Sequence, residues 1–198
     1  MMKYLKLISL LFIGTLGCLF TACEETTEID EYANWEERNI AFMDSIAKVA
    51  EANADGQWMK ILAFGLNPTD KDGNASVHAP ENYIYCHVQR AGSGATSPLY
   101  TDLVSVNYRG RLIPTYTYPK GRIFDESYKG ELNSALNVPR NFNVDELIVG
   151  WSTALMRMVE GDYWRVYIPY NLGYGADEKG DIPAYSTLIF DMSLEGIL

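Results

Sequence analysis

Val104-Ser105-Val106-Asn107-Tyr108-Arg109-Gly110-Arg111-Leu112 is the stretch on which the fold turns. Val104, Val106 and Tyr108 alternate with Ser105, Asn107 and Arg109, the period of a strand that covers one face and wets the other. Working outward, Tyr163-Trp164-Arg165-Val166-Tyr167-Ile168 and Thr187-Leu188-Ile189-Phe190-Asp191-Met192-Ser193-Leu194 read as two more strands. Tyr83-Ile84-Tyr85-Cys86-His87-Val88 places Ile84, Cys86 and Val88 on one face, and Trp58 to Phe64 also reads as a strand. Leu147 to Met158 instead fits a helix of about two turns. Many strands and one such helix predict an α+β fold, an antiparallel sheet wrapped around a short central helix.

The rest of the chain divides by composition. Residues 1–22 hold Lys3 and Lys6, no acid, and the apolar run Leu7 to Leu16. That is the form of an export signal, too short and too interrupted by Gly14, Gly17 and Thr21 to span a bilayer. Ala22-Cys23 before Glu24-Glu25 resembles the lipobox of bacterial lipoproteins, with Cys23 as the acylated residue. Cys18 is the competing position, and an ordinary signal peptide is the bland alternative. Residues 23–33 then form an acidic, solvated tether. An N-terminal helix and strand extension occupies 34–80, and the main domain 81–198. In the extension, apolar positions 35, 42, 46 and 49/50 recur at helical spacing, with Asn34 and Glu37 as a capping box and Asn53 to Gly56 as the stop. This helix either packs on its own domain or pairs with a partner.

Charge and chemistry narrow the function. The chain has 16 basic and 26 acidic residues, a net charge of −10. Loss of Lys3 and Lys6 with the signal leaves 14 against 26, or −12. Nucleic acid is excluded as a partner because phosphate binding needs clustered cations. Anionic headgroups repel such a chain too, so attachment to a membrane rests on the lipid. Cys86 reads as a buried, inert thiol, while His78 and His87 read as solvated. No metal-ligand spacing, hydrolase elbow or nucleotide loop is present in the sequence, and no cofactor is expected.

Three segments remain, and together they resemble the FKBP-type peptidyl-prolyl cis-trans isomerases over residues 83–198. They are Val104 to Leu112; Gly121-Arg122-Ile123-Phe124-Asp125-Glu126-Ser127; and Leu147-Ile148-Val149-Gly150-Trp151, continued by Gly161, Gly173-Tyr174-Gly175-Ala176, Ile182-Pro183 and Phe190-Asp191. The resemblance implies a cleft between helix and sheet, walled by Tyr108, Phe124, Ile148, Tyr174, Ile182 and Phe190. Trp151 would be its floor, Leu147 the neighbouring position where the family usually has Val, and Asp125 the carboxylate at the rim. It also implies that the Ile148 N–H and the Tyr174 hydroxyl donate to substrate carbonyls, and that macrolides can act as inhibitors.

Turning an Xaa-Pro bond means crossing the amide resonance barrier of about 18–20 kcal/mol. An apolar, water-poor pocket favours the twisted amide, which has lost charge separation, over the planar one. Residue types of this kind need neither metal nor covalent intermediate. Departures from the family pattern are the insertion Ile113 to Arg122, expected to extend a hairpin or bulge near the cleft, and Asp181 where an apolar residue is common. For the far wall, Phe142 lies nearby with a core position as its other reading, and Arg140 is the second candidate. The expected function is prolyl isomerisation of exported polypeptides in a Gram-negative envelope, lipid-anchored to the outer membrane and facing periplasm or surface. The alternative is a chaperone or binding module with the same cleft and little turnover; a surface adhesin is a third class with only the tether and charge behind it. Oligomeric state is not legible.

Overall fold

A computed structural model describes residues 29–198. The expected signal segment, Cys18, Cys23 and the tether as far as residue 28 lie outside the described residues. Residues 31–198 form one compact unit.

Seven antiparallel strands make a single sheet: β1 (Trp58–Leu62), β2 (Tyr83–Arg90), β3 (Leu103–Arg111), β4 (Ile123–Glu126), β5 (Arg140–Asn143), β6 (Tyr163–Ile168) and β7 (Leu188–Ile197). Their order is β1-β2-β6-β7-β3-β4, and β5 pairs with the first half of β3. The alternation read from the sequence sets the faces. Val104, Val106 and Tyr108 of β3 and Phe190, Met192 and Leu194 of β7 are all buried in one core, with Val166 and Ile168 of β6. Cys86 belongs to it as well, fully buried, and burial pushes its thiol well above the usual range.

The central helix α2 (Val149–Leu155) lies against this face, about two turns long as expected and set within the 147–158 segment. Ile148 is extended, at φ −60° and ψ 149°, so Leu147 and Ile148 form the approach to the helix instead of its first turn. Glycine at position 150 has a direct steric reason. A Cβ there would come within 2.4 Å of Ile168 Cγ2, so only glycine lets the helix rest this closely on β6. The next residue, Trp151, then points into the core.

The outer face of the sheet carries α1 (Trp35–Ala52) over its β1–β2 side, where Met43, Ala47 and Ala50 pack on Tyr85. The buried stripe is Trp35, Asn39, Met43, Ala47 and Ala50, rotated from the apolar positions read in the sequence; Val49 is 49% exposed. Asn39 sits fully buried in that stripe because both ends of its amide are paired. Its Nδ2 donates to the Trp35 carbonyl at 2.6 Å, and its Oδ1 accepts the Thr187 N–H at 2.7 Å. The helix packs on its own domain, further fixed by the Trp35 indole N–H donating to Ser186 Oγ at 2.8 Å.

One expectation for this region fails. The capping box does not form: Asn34 is left-handed, at φ 50°, and makes no side-chain cap bond. Arg38 closes the entry instead, its guanidinium donating to the carbonyls of Glu31 and Ala33. The end of the expected tether, still partly exposed, is bonded to the domain. The Glu31 carboxylate accepts from the Thr117 N–H and hydroxyl, and the Tyr32 ring stands edge-on to Trp35 at 5.0 Å. His87 is likewise engaged rather than solvated, its Nε2 2.7 Å from Asp55 Oδ2 and its ring 4.8 Å from Trp58.

The 113–122 insertion extends the β3–β4 connection. The Leu112 N–H bonds to the Arg122 carbonyl, and the Thr115 N–H to that of Tyr118. A bulge between Gly110 and Arg111 accompanies it.

Candidate active site

Between α2 and the sheet opens a cleft of ≈ 590 Å³ that brings all nine sequence-predicted site residues together. β3 supplies Tyr108, β4 supplies Phe124 and Asp125, and β7 supplies Phe190. Leu147 and Ile148 come from the approach to α2, Trp151 from its first turn, and Tyr174 and Ile182 from the loop after β6.

The aromatic rings hold one another edge to face. Trp151 and Phe190 stand 5.1 Å apart at 90°, Tyr108 and Trp151 5.1 Å at 82°, and Phe124 and Phe190 5.5 Å at 86°. Trp151 is only 4% exposed, as the floor of such a cleft must be. Gly110 keeps the two phenyl rings in place by what it lacks. Its Cβ would lie 2.5 Å from Phe190 Cε1 and 2.6 Å from Phe124 Cε2.

The structure also settles the far wall. Phe142 lines the cleft, with its ring 5.5 Å from Trp151 and 5.7 Å from Tyr108, while Arg140 does other work at the rim. Both residues project to the same side of β5, two positions apart, which four residues of sequence are too short to reveal. Arg140 Nη1 donates to the Tyr108 hydroxyl at 2.7 Å and approaches Asp125 Oδ1 at 3.3 Å, and its Nη2 donates to the Glu126 carbonyl. The Tyr108 hydroxyl in turn donates to Asp125 Oδ2 at 2.5 Å. Asp125, which also accepts the Glu126 N–H at 2.9 Å, is thereby fixed at the rim by three partners.

Burial raises the Tyr108 hydroxyl well above the usual phenol range, and its bond to Asp125 adds to this. The Tyr174 hydroxyl is raised by burial and then by the Asp125 charge. Both phenols stay protonated at neutral pH. Among the described residues, the donors around the cleft left without a partner include the Tyr174 hydroxyl and the Ile148 N–H inside it and the Lys179 ammonium at its mouth. The Ile148 carbonyl, by contrast, accepts the Trp151 and Ser152 N–H groups at the start of α2.

Asp181 lines the mouth, but its side chain is 87% exposed and turned toward Arg122. The Arg122 guanidinium donates to the Asp181 carbonyl and lies 3.7 Å from its carboxylate. Lys179 and Ile182 exchange backbone hydrogen bonds at 2.9 and 3.0 Å, which turns Ile182 inward. The insertion thus reaches across and clasps the loop that presents Ile182. Glu146, Lys179 and Gly180 complete the mouth. Among the described residues, no three His, Cys, Asp or Glu side chains gather as metal ligands would.

A family model described as FKBP-type peptidyl-prolyl cis-trans isomerase matches residues 94–195, more than half of the chain. The chain belongs to the FKBP-type isomerase family. Its relatives include a macrophage infectivity potentiator of Trypanosoma cruzi, 38% identical over 62% of this chain and 56% of that protein. An FKBP-type 22 kDa peptidyl-prolyl cis-trans isomerase of Escherichia coli is 38% identical over 75% of this chain and 67% of its own. Thus this FKBP-type chain spans between about half and two thirds of the length of these curated relatives. A crystal structure of a peptidyl-prolyl cis-trans isomerase from Pseudomonas syringae superposes with TM-score 0.56 at 26% identity, covering 84% of this chain and 95% of that one. The antiparallel sheet around a short helix is therefore the FKBP-type α+β fold.

Proposed function

We propose that the protein catalyses cis-trans rotation about Xaa-Pro bonds of exported polypeptides. The observation that carries this reading is an aromatic cleft floored by the buried Trp151, with the Ile148 N–H and the Tyr174 hydroxyl as unspent hydrogen-bond donors inside it.

Rotation destroys the resonance of the amide and with it the charge separation that water stabilises. Rings of Phe124, Trp151 and Phe190 supply an environment that stabilises the twisted, less polar amide more than the planar one. The two donors fix the carbonyls on either side of the proline, so the chain can turn about one bond only. Neither a covalent bond nor a moving proton enters the scheme. Asp125, bound by Tyr108 and Arg140, is a positioning group that holds Tyr108 upright. Acceleration of cis-to-trans conversion in a proline peptide, slowed by Phe190→Ala and less so by Tyr174→Phe, tests the assignment. Wild-type protein that leaves the spontaneous rate unchanged refutes it and leaves a binding module.

The cellular context belongs to the same proposal. Its support is the Ala22-Cys23 junction after a basic and apolar leader, which fits lipid attachment at Cys23 and residence in a Gram-negative envelope, on the outer membrane. Incorporation of labelled palmitate that is lost in Cys23→Ser checks the anchor. Macrolide binding is a further expectation, and the charged mouth formed by Glu146, Lys179 and Asp181 weakens it relative to a purely apolar rim.

A further inference from the structure

A second groove, of ≈ 630 Å³, lies on the outer face of the sheet, away from the cleft. Its origin is simple geometry. α1 covers the β1–β2 side of that face and leaves the β6–β7–β3–β4 side open. Phe42 and Ile46 of α1 form one wall, and Tyr128 with Gly130 after β4 forms the other. Pro114 and Lys120 of the insertion close one end.

The floor is cationic. Antiparallel register brings Arg109 and Arg111 of β3, Asp191 of β7 and Arg165 of β6 side by side, all on the outward positions. Arg111 Nη2 lies 2.5 Å from Asp191 Oδ2 and Arg165 Nε 2.6 Å from Asp191 Oδ1, so two guanidinium groups share one carboxylate. Arg109 shares Glu126 with Lys129 in the same way. Lys120 has no ion-pair partner among the described residues. Of the groove's lining side chains four are cationic and two, Asp191 and Glu131, are acidic. That surplus of two positive charges sits in a chain whose net charge is −10.

Tyrosines add neutral donors among these charges. Burial raises the Tyr163 and Tyr167 hydroxyls, so both remain protonated at neutral pH. Phe42, Ile46, Pro114 and Ile189 supply apolar surface between the charged groups. Fork-shaped guanidinium donors beside aromatic and aliphatic walls suit carboxylates spaced along a peptide that also carries apolar side chains. The overall negative charge opposes long polyanions, which must also pass the rest of the surface. We propose that this groove is a docking site for a short acidic, apolar-interspersed polypeptide segment, separate from the proline-binding cleft and independent of its turnover.

The test is fluorescence anisotropy with the full chain and a labelled, proline-free peptide of alternating glutamate and leucine. A lysine-for-glutamate version serves as the control. Two variants probe the groove. Lys120→Glu reverses an exposed rim charge; Arg165→Gln removes one of two partners of Asp191 and leaves Arg111 in place, so the buried carboxylate stays paired. The acidic peptide binds, weakens as salt rises, and loses affinity about tenfold or more in each variant. Unaltered isomerisation of a proline peptide by Lys120→Glu shows that the fold and the cleft are intact. No binding, equal binding of the lysine peptide, or wild-type affinity in either variant overturns the proposal.

Discussion

Gly110→Ala is the substitution whose consequence follows most directly from the geometry. The added methyl meets Phe190 Cε1 at 2.5 Å and Phe124 Cε2 and Cζ at 2.6 Å, whereas ordinary contact begins at 3.4 Å. Phe190 must therefore give way by about 0.9 Å and Phe124 by about 0.8 Å, the differences from 3.4 Å. Phe190 cannot retreat alone, because Trp151 stands edge-on at 5.1 Å behind it. Its shift is passed to the floor of the cleft, and Phe124 swings into its mouth. Overpacking of this size costs about 1–3 kcal/mol, and a displacement near 1 Å in a preorganised site lowers rate by up to about 100-fold. We expect kcat/KM for a proline peptide to fall about 10- to 100-fold, with a Tm lower by roughly 3–10 °C. Gly196→Ala is the matched control, since its nearest neighbour, Glu160 Oε1, is 3.8 Å from the added carbon. Stopped-flow isomerisation and thermal unfolding of both variants decide the matter. Wild-type kcat/KM in Gly110→Ala would refute the claim that an absent side chain seats the two rings.

Other outcomes follow from single contacts. Tyr174 is held protonated by burial, so kcat/KM of the wild type is flat from neutral pH up to the ordinary phenol value of 10.0; an alkaline fall beginning well below it would contradict the assigned environment. Stability follows the same sign: the raised phenols Tyr108 and Tyr174 hold protons that unfolded tyrosines have lost, so stability is intact below that value and declines above it. Denaturant unfolding of Trp35→Ala should show a loss of about 3–5 kcal/mol, because the indole is buried and donates to Ser186; unchanged stability would make α1 a detachable appendage. Asp191→Ala leaves two guanidinium groups facing each other beneath the groove and should destabilise by about 2–4 kcal/mol, reduced from the fully buried case by the partial exposure of Arg165; a smaller effect on replacing Asp191 than on replacing exposed Asp72 would contradict that pairing.

How much of this was legible in the sequence depended on the range of the interaction. Strands β2, β3, β6 and β7 could be read because alternation is a local property that the core enforces. The nine cleft positions could be read because a motif carries relative placement that no single residue does; Trp151 or Phe190 alone reads as core. Phe142 and Arg140 could not be ranked, since β5 is four residues long and both face the same way. Asn34 failed as a cap because its backbone is left-handed, a conformation that residue identity permits but does not impose. His87 looked solvated until Asp55, 32 positions away, turned up beside it. The clasp of Arg122 on Asp181 and the cationic groove are the least legible of all. Both exist only once distant segments are brought into register, and the outward positions of a strand carry no signal of what they will meet.

The central claim is that the cleft lowers the rotation barrier by holding a twisted amide, with no proton in flight. Its most direct test is exchange spectroscopy on a peptide with one Xaa-Pro bond, at catalytic amounts of protein, in light and in heavy water. Catalysed exchange between the two isomers at the same rate in both solvents is the predicted result. Exchange no faster than the spontaneous rate, or catalysed exchange that slows markedly in heavy water, would contradict it.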